Sequence, residues 1–168
     1  DQIQHLSFEK MEGKGFFTKE IEEALLSEQV DLAIHSFKDL ETAAVPGLDI
    51  AAVSYRENPT DSLLIKKDAV DESQYLYLKN GAKVGTSSAR RKAQLVGFRQ
   101  DIELVDLRGN VPTRIDKLRD GKYDAIMLAT AGLNRLAIDL SEFYVEQLDP
   151  KEFIPAPAQG VLGLQTRT

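Results

Sequence analysis

Apolar positions change period several times along the chain, and each change predicts an element. In TKEIEEALLSE, Ile21, Ala24 and Leu25 recur at helical spacing, with Thr18 as N-cap and Glu20 in the first turn. VDLAIHSF then alternates, Val30, Leu32 and Ile34 against Asp31 and Ala33, which predicts a buried strand. The strand turns polar at His35, Ser36, Lys38 and Asp39, without the Gly, Asn or Pro that usually follows. A turn at Pro46-Gly47 and a second apolar run, LDIAAVSY, come next, and Arg56-Glu57-Asn58-Pro59 breaks the pattern.

Beyond that break, DSLLI reads as a strand and AKVGTSS as a strand running into a polar turn. SARRKAQLVGF predicts a helix with Ala89, Ala93 and Val96 inward and Leu95 as a further candidate. IELVDL is a strand, and NVPTRIDKLRDG is a helix with Asn110 near its cap, Pro112 in its first turn and Gly121 past its end. YDAIMLA predicts a buried strand, AGLNRLAI a helix, and FIPAPAQGVLGLQ a proline-rich segment ending in a strand. Alternating strands and helices at this spacing imply an α/β fold with right-handed crossovers and parallel strands. Two lobes are expected: a partial first domain over 1–55, a second over 56–153, and a hinge and strand over 154–168 returning to the first.

Composition narrows the chemistry. The 168 residues are 42% hydrophobic and 29% charged, with a formal net charge of −6 and no cysteine. That balance argues against a nucleic-acid partner, and the missing cysteines exclude a disulfide, a zinc-thiolate or a thiol nucleophile within this stretch. No apolar run approaches the ~18 residues of a membrane span. The start, DQIQHLSF, has neither an initiator Met nor turn chemistry, and GLQTRT stops straight after an apolar run, so a fragment is expected. His35 and His5 are the only histidines and no carboxylates cluster with them, so no metal site is expected.

In open parallel sheets ligands lie beyond the carboxyl ends of the strands. There the sequence places Thr86, Ser87, Ser88, Arg90 and Arg91 after one strand, and Arg108, Gly109, Asn110 and Arg114 after the next. Thr130, Ala131 and Gly132 follow a third. Arginines in the first turn of a helix oppose its dipole by about 0.3–1 kcal/mol each, a sign that a bound anion reverses. Either the arginines form a solvated face with local ion pairs, or they line a polyanion pocket. GKGFFTKE lacks the spacing of a nucleotide-binding loop, although Lys10 and Lys14 remain candidates to reach an anion. His35 reads as structural or as a base. Lys38 and Asp39 read as an ordinary surface pair, or as a carboxylate among cations that stabilises positive charge or passes a proton.

GKGFFTKEIEEALL, DLAIHSFKDLET, VGTSSARRKAQL, LRGNVPTRIDKLRDGKYDAIMLATAGLNRL and PAPAQGVLGLQTR together resemble the porphobilinogen deaminase (hydroxymethylbilane synthase) family, in order and spacing. The resemblance implies a transferase of tetrapyrrole (heme) synthesis that joins four porphobilinogen units head to tail and releases ammonia. It implies a two-lobed fold like the type II periplasmic binding proteins, with parallel-rich mixed sheets and a cleft between the lobes. It also implies a cytoplasmic, monomeric enzyme with no nucleic-acid or membrane partner. Asp39 would be the catalytic carboxylate, flanked by Ser36 and Lys38 on cofactor or substrate. Arg90, Arg91, Arg108 and Arg114 would bind acetate and propionate groups, with Thr86, Ser87, Ser88 and Gly109 beside them. Gln159 and Gly160 would meet the cofactor, and Lys10, Lys14 and Arg56 match further basic positions of the family. The family holds a dipyrromethane cofactor on a cysteine, and these 168 residues contain none, so this stretch alone is expected to be inactive. Glu41, Ala158 and Gln165 depart from the residues usual there. The rival reading is a two-lobed binding module for a small carboxylate, since fold alone does not decide function.

Overall fold

In a computed structural model, residues 18–168 are described. They divide into two units, Thr60–Pro155 on one side and 18–59 with Ala156–Thr168 on the other. The division falls between Pro59 and Thr60, a few residues beyond the break expected at Arg56.

In the first-named unit, β3 (Asp61–Lys66), β4 (Lys83–Gly85), β5 (Glu103–Val105), β6 (Ala125–Ala129) and β7 (Phe143–Gln147) form one sheet in the order β5-β4-β6-β3-β7. The α2 (Ala89–Phe98) and α3 (Val111–Arg119) segments are the crossovers that let β4 pair in parallel with β5 and β6. The remaining pairs, β3 with β6 and β3 with β7, are antiparallel, so the sheet is mixed. Nearly every residue of β3 and β6 is buried, because both faces are covered. Leu95 of α2 packs with Leu63, Ile65 and Met127 on one side. Ile115 and Leu118 of α3, with Leu133 of α4 (Thr130–Leu136), pack with Leu64, Ile126 and Leu128 on the other.

The inward face of α2 differs from the expected one. Arg91 and Leu95 are buried, while Ala89 and Ala93 are exposed and Val96 is 49% exposed. The helix is turned by the Arg91 guanidinium, which reaches a buried carboxylate inside the sheet.

In the other unit, β8 (Leu162–Arg167) lies between β1 (Ala33–Ser36) and β2 (Leu48–Val53), antiparallel to both. Among the described residues, parallel pairs are confined to β4 and its two neighbours. Leu25 of α1 (Lys19–Leu26), Ala33 and Leu48 make a small core. Thr18 holds the cap position, but its hydroxyl donates to Glu22 instead of capping the helix. Two apolar expectations fail here. Ile21 is exposed on α1, and the alternation of β1 is inverted, with Ala33 and His35 inside and Leu32 and Ile34 outside. His35 goes inside because it has a partner there: Nε2 lies 2.9 Å from Gln165 Oε1. Gln165 in turn donates Nε2–H to Glu22 at 3.3 Å, which fixes the amide orientation and makes His35 Nε2 the donor.

Among the described residues, no helix is long and apolar enough to cross a membrane.

Candidate functional site

The polar end of β1 becomes a single 3-10 turn, Phe37–Asp39. Ser36 is exposed at the strand end, and after the turn Asp39 is exposed while Lys38 reaches Gln159. Lys38 Nζ donates to Gln159 Oε1 at 3.1 Å. Gln159 is fully buried, donates Nε2–H to Pro59 O at 2.7 Å, and offers its own carbonyl to Arg56 Nε at 3.0 Å. Gly160 follows with φ 93°, its carbonyl accepting from Glu57 N–H at 2.9 Å. This web fixes the Lys38 ammonium, whereas among the described residues no hydrogen bond or ion pair holds the Asp39 carboxylate. Asp39 therefore stands exposed, one residue after a lysine whose ammonium is fixed.

In the unit built on the five-stranded sheet, β4, β5 and β6 end on one rim, as their parallel register requires. The turn after β4 is tied to the turn after β5. Ser87 Oγ donates to Leu107 O and accepts from Leu107 N–H, both at 3.0 Å. Thr86 is buried, with its Oγ1 accepting from Ser88 N–H at 3.3 Å, and Ser88 caps α2 by accepting from Arg91 N–H. Gly109 has φ 113°, and its carbonyl accepts from Arg114 Nε at 2.6 Å. Lys117 Nζ donates to the carbonyl of Arg108, whose side chain is half-buried. Asn110 caps α3 through Thr113 N–H at 2.9 Å.

Arg90 and Arg91 meet on Asp61, the first residue of β3. Its carboxylate is fully buried and accepts Arg91 Nη2 at 2.6 Å, Arg91 Nε at 3.2 Å and Arg90 Nη2 at 2.7 Å. Arg91 also donates Nη1–H to Met127 O at 3.2 Å, and Arg90 donates Nη1–H to Ile154 O. Sequence reasoning missed Asp61, reading it only as the start of a strand. The available signal was a carboxylate opening an apolar run, which a buried position tolerates only with cationic partners.

The rim of this unit thus brings together Thr86, Ser87, Ser88, Arg90, Arg91, Arg108, Gly109 and Arg114. Ser36, Lys38, Asp39, Arg56, Gln159 and Gly160 belong to the other unit. Lys10 and Lys14 lie outside the described residues. Among the described residues, no group of three or more His, Cys, Asp or Glu is placed to hold a metal ion.

Residues 1–168 match the porphobilinogen deaminase family, under the description "dipyromethane cofactor binding domain". A porphobilinogen deaminase from Helicobacter hepaticus is 46% identical over 168 residues, covering 99% of this chain and 50% of the relative. One from Nitratidesulfovibrio vulgaris is 47% identical over 167 residues, covering 99% and 51%. The chain spans about half the length of these curated relatives. Among solved structures, an ABC transporter periplasmic binding protein from Brucella ovis with glutathione bound is 21% identical, with a TM-score of 0.54 over 89% of this chain and 46% of that one. An ancestral cationic amino acid solute binding protein is 14% identical, with a TM-score of 0.50 over 90% and 62%. These likenesses show a periplasmic-binding-protein-like fold of type II. The match over the whole chain, with the near-half identity to these enzymes, means that the chain belongs to the porphobilinogen deaminase family.

Proposed function

We propose that this chain is part of a monomeric, cytoplasmic transferase that condenses four porphobilinogen molecules head to tail into hydroxymethylbilane, releasing ammonia at each step. The observation that carries the chemistry is Asp39, exposed on its 3-10 turn and following Lys38, whose ammonium is held by Gln159. When the carbon–nitrogen bond of a protonated porphobilinogen aminomethyl group breaks, ammonia leaves with the electron pair. Positive charge then spreads from the methylene carbon to the pyrrole nitrogen. A carboxylate about 4 Å away stabilises that charge by about 4 kcal/mol at an effective dielectric near 20. The next pyrrole attacks the methylene, a carbon–carbon bond forms, and the ring proton lost afterwards passes to a base, a role that Asp39 fills.

Every porphobilinogen carries an acetate and a propionate, so the growing product is a polycarboxylate. Arg90, Arg108 and Arg114, with the turn hydroxyl of Ser88, supply the matching donors on the sheet rim. The same donors suit the carboxylates of a dipyrromethane, which when bound primes chain growth. The chain has no cysteine to hold that group by a thioether. The 168 residues alone should therefore release no hydroxymethylbilane from porphobilinogen, and product formation by the purified chain would contradict this. The names of the solute-binding structural neighbours describe those proteins, and no further observation favours a binding module here.

The test is Asp39→Asn in the full-length protein that carries this chain. Turnover should fall by at least about a hundredfold, while thermal unfolding stays unchanged. Near-normal turnover would remove Asp39 from the mechanism.

A further inference from the structure

The Asp61 cluster does more than neutralise charge. One carboxylate faces two guanidinium groups, so the cluster keeps a surplus positive charge at the rim. The two arginines share that carboxylate unequally. Arg91 grips Oδ1 with Nε and Nη2 and sends Nη1 to Met127 O, with 7% of its side chain exposed. Arg90 reaches Oδ2 with Nη2 alone and keeps 25% of its side chain exposed. A guanidinium has five N–H donors in a fixed fork. In Arg90, Nη1 and Nη2 each have one bond among the described residues, so Nε–H and one hydrogen on each Nη are left over.

We infer that Asp61 is the positioning residue of the anion site, using Arg91 as a buried brace and holding Arg90 ready to receive a substrate carboxylate. Three features make this the reading of the geometry. The two arginines are adjacent in sequence at the start of α2, where the helix dipole and their mutual repulsion would drive both side chains outward. Asp61 reverses that tendency, because a fully buried carboxylate accepts three charge-assisted bonds from them. The brace is rigid, since Asp61 pairs with Ala129 in the β3–β6 ladder and Arg91 is tied to the β6 carbonyl of Met127. Arg90 is thereby oriented before any ligand arrives, which reduces the ordering that binding must supply.

The inference rests on the porphobilinogen reading for its ligand, and the experiment separates the two. In the full-length protein carrying this chain, Asp61→Asn keeps the shape of the carboxylate but removes its charge and turns an N–H toward a guanidinium. The KM for porphobilinogen should rise by about tenfold or more, with kcat within about threefold. Asp61→Glu keeps the charge on a longer stem, and its KM should rise a few-fold. A purely structural Asp61 would lower the folded fraction and leave KM unchanged in the molecules that fold. Unchanged KM in folded Asp61→Asn overturns the inference. If that variant does not fold, unchanged KM in Asp61→Glu does so. If the unmodified protein does not turn over porphobilinogen, the functional reading fails, and the Arg91 Nε–H signal in an NMR spectrum then decides on Asp61. A slowly exchanging signal that disappears or moves in the Asp61 variants sustains the brace, and its absence from the unmodified protein overturns it.

Discussion

A Cβ built on Gly160 would lie 2.2 Å from the carbonyl oxygen of Glu57, and its φ of 93° is a conformation that side chains rarely adopt. The close approach has a purpose visible in the neighbouring residue. With the chain drawn against Glu57, the Gln159 side chain is buried where it meets Lys38 Nζ and Pro59 O. Gly160→Ala should therefore destabilise the protein by about 1–3 kcal/mol, read as a lower urea midpoint at unchanged slope. A loss below about 0.5 kcal/mol would show that the backbone moves aside freely. Gln159→Ala should cost about 1–3 kcal/mol as well, because it removes the acceptor of Lys38 Nζ and the donor to Pro59 O. Neither residue was legible from local pattern. Their partners lie some hundred residues away along the chain, and only the resemblance to a family pointed to PAPAQG. Asp39, by contrast, stands out locally, because a strand that ends in Lys and Asp leaves two readings open, a surface pair or a carboxylate among cations.

At the scale of elements, the helices were easier to place than to orient. Ser88 and Asn110 cap α2 and α3 through side-chain acceptors, and Pro112 stands in the first turn of α3, as the sequence indicates. The inward face of α2 was not legible, because a stripe rule counts only apolar positions. Here the face is set by Arg91, whose charge looks like a surface mark until Asp61 is found opposite it. The same limit explains β1, where a hydrogen-bonded His35 takes the inside position and Ile34 the outside one. The two faces of α2 give a direct comparison. Leu95 is fully buried, so Leu95→Ala should cost about 2–5 kcal/mol in chemical unfolding. Val96 is half exposed, and Val96→Ala should change stability by no more than about 0.5 kcal/mol, since alanine is the better helix former. If Val96→Ala were the costlier change, the helix would be turned as the apolar stripe alone implies.

Across the whole molecule, the α/β class follows from the order of strands and helices, while the antiparallel pairs and the strand order do not. Nothing in the local pattern shows that β8 inserts between β1 and β2, because that pairing joins residues over a hundred positions apart. The acidic balance is similarly a property of the whole chain, and its effect depends on how individual carboxyls are placed. The hydrogen bond from Arg99, joined by one from Gly81 N–H, holds the Asp101 carboxyl well below its ordinary value of 3.8. Glu146 is shifted the other way, because burial raises its carboxyl above the ordinary 4.5 despite a hydrogen bond from Tyr144. The two shifts make opposite contributions to stability. For Asp101 the unfolded chain takes up a proton first as pH falls, so its contribution is fully present above pH 3.8 and disappears as pH drops through the lowered native value. For Glu146 the unfolded chain loses its proton first as pH rises, so folding is penalised from about pH 4.5 upward, and the penalty is complete once pH passes the raised native value. Thermal unfolding followed from pH 2 to 8 should separate them. Asp101→Asn should lower Tm near neutrality and flatten the acid limb of the profile, whereas Glu146→Gln should raise Tm near neutrality and leave it unchanged below pH 4. A Glu146→Gln protein that melts lower than the parent at pH 7 would mean that the carboxylate is stabilised by partners in the fold, not penalised by its burial.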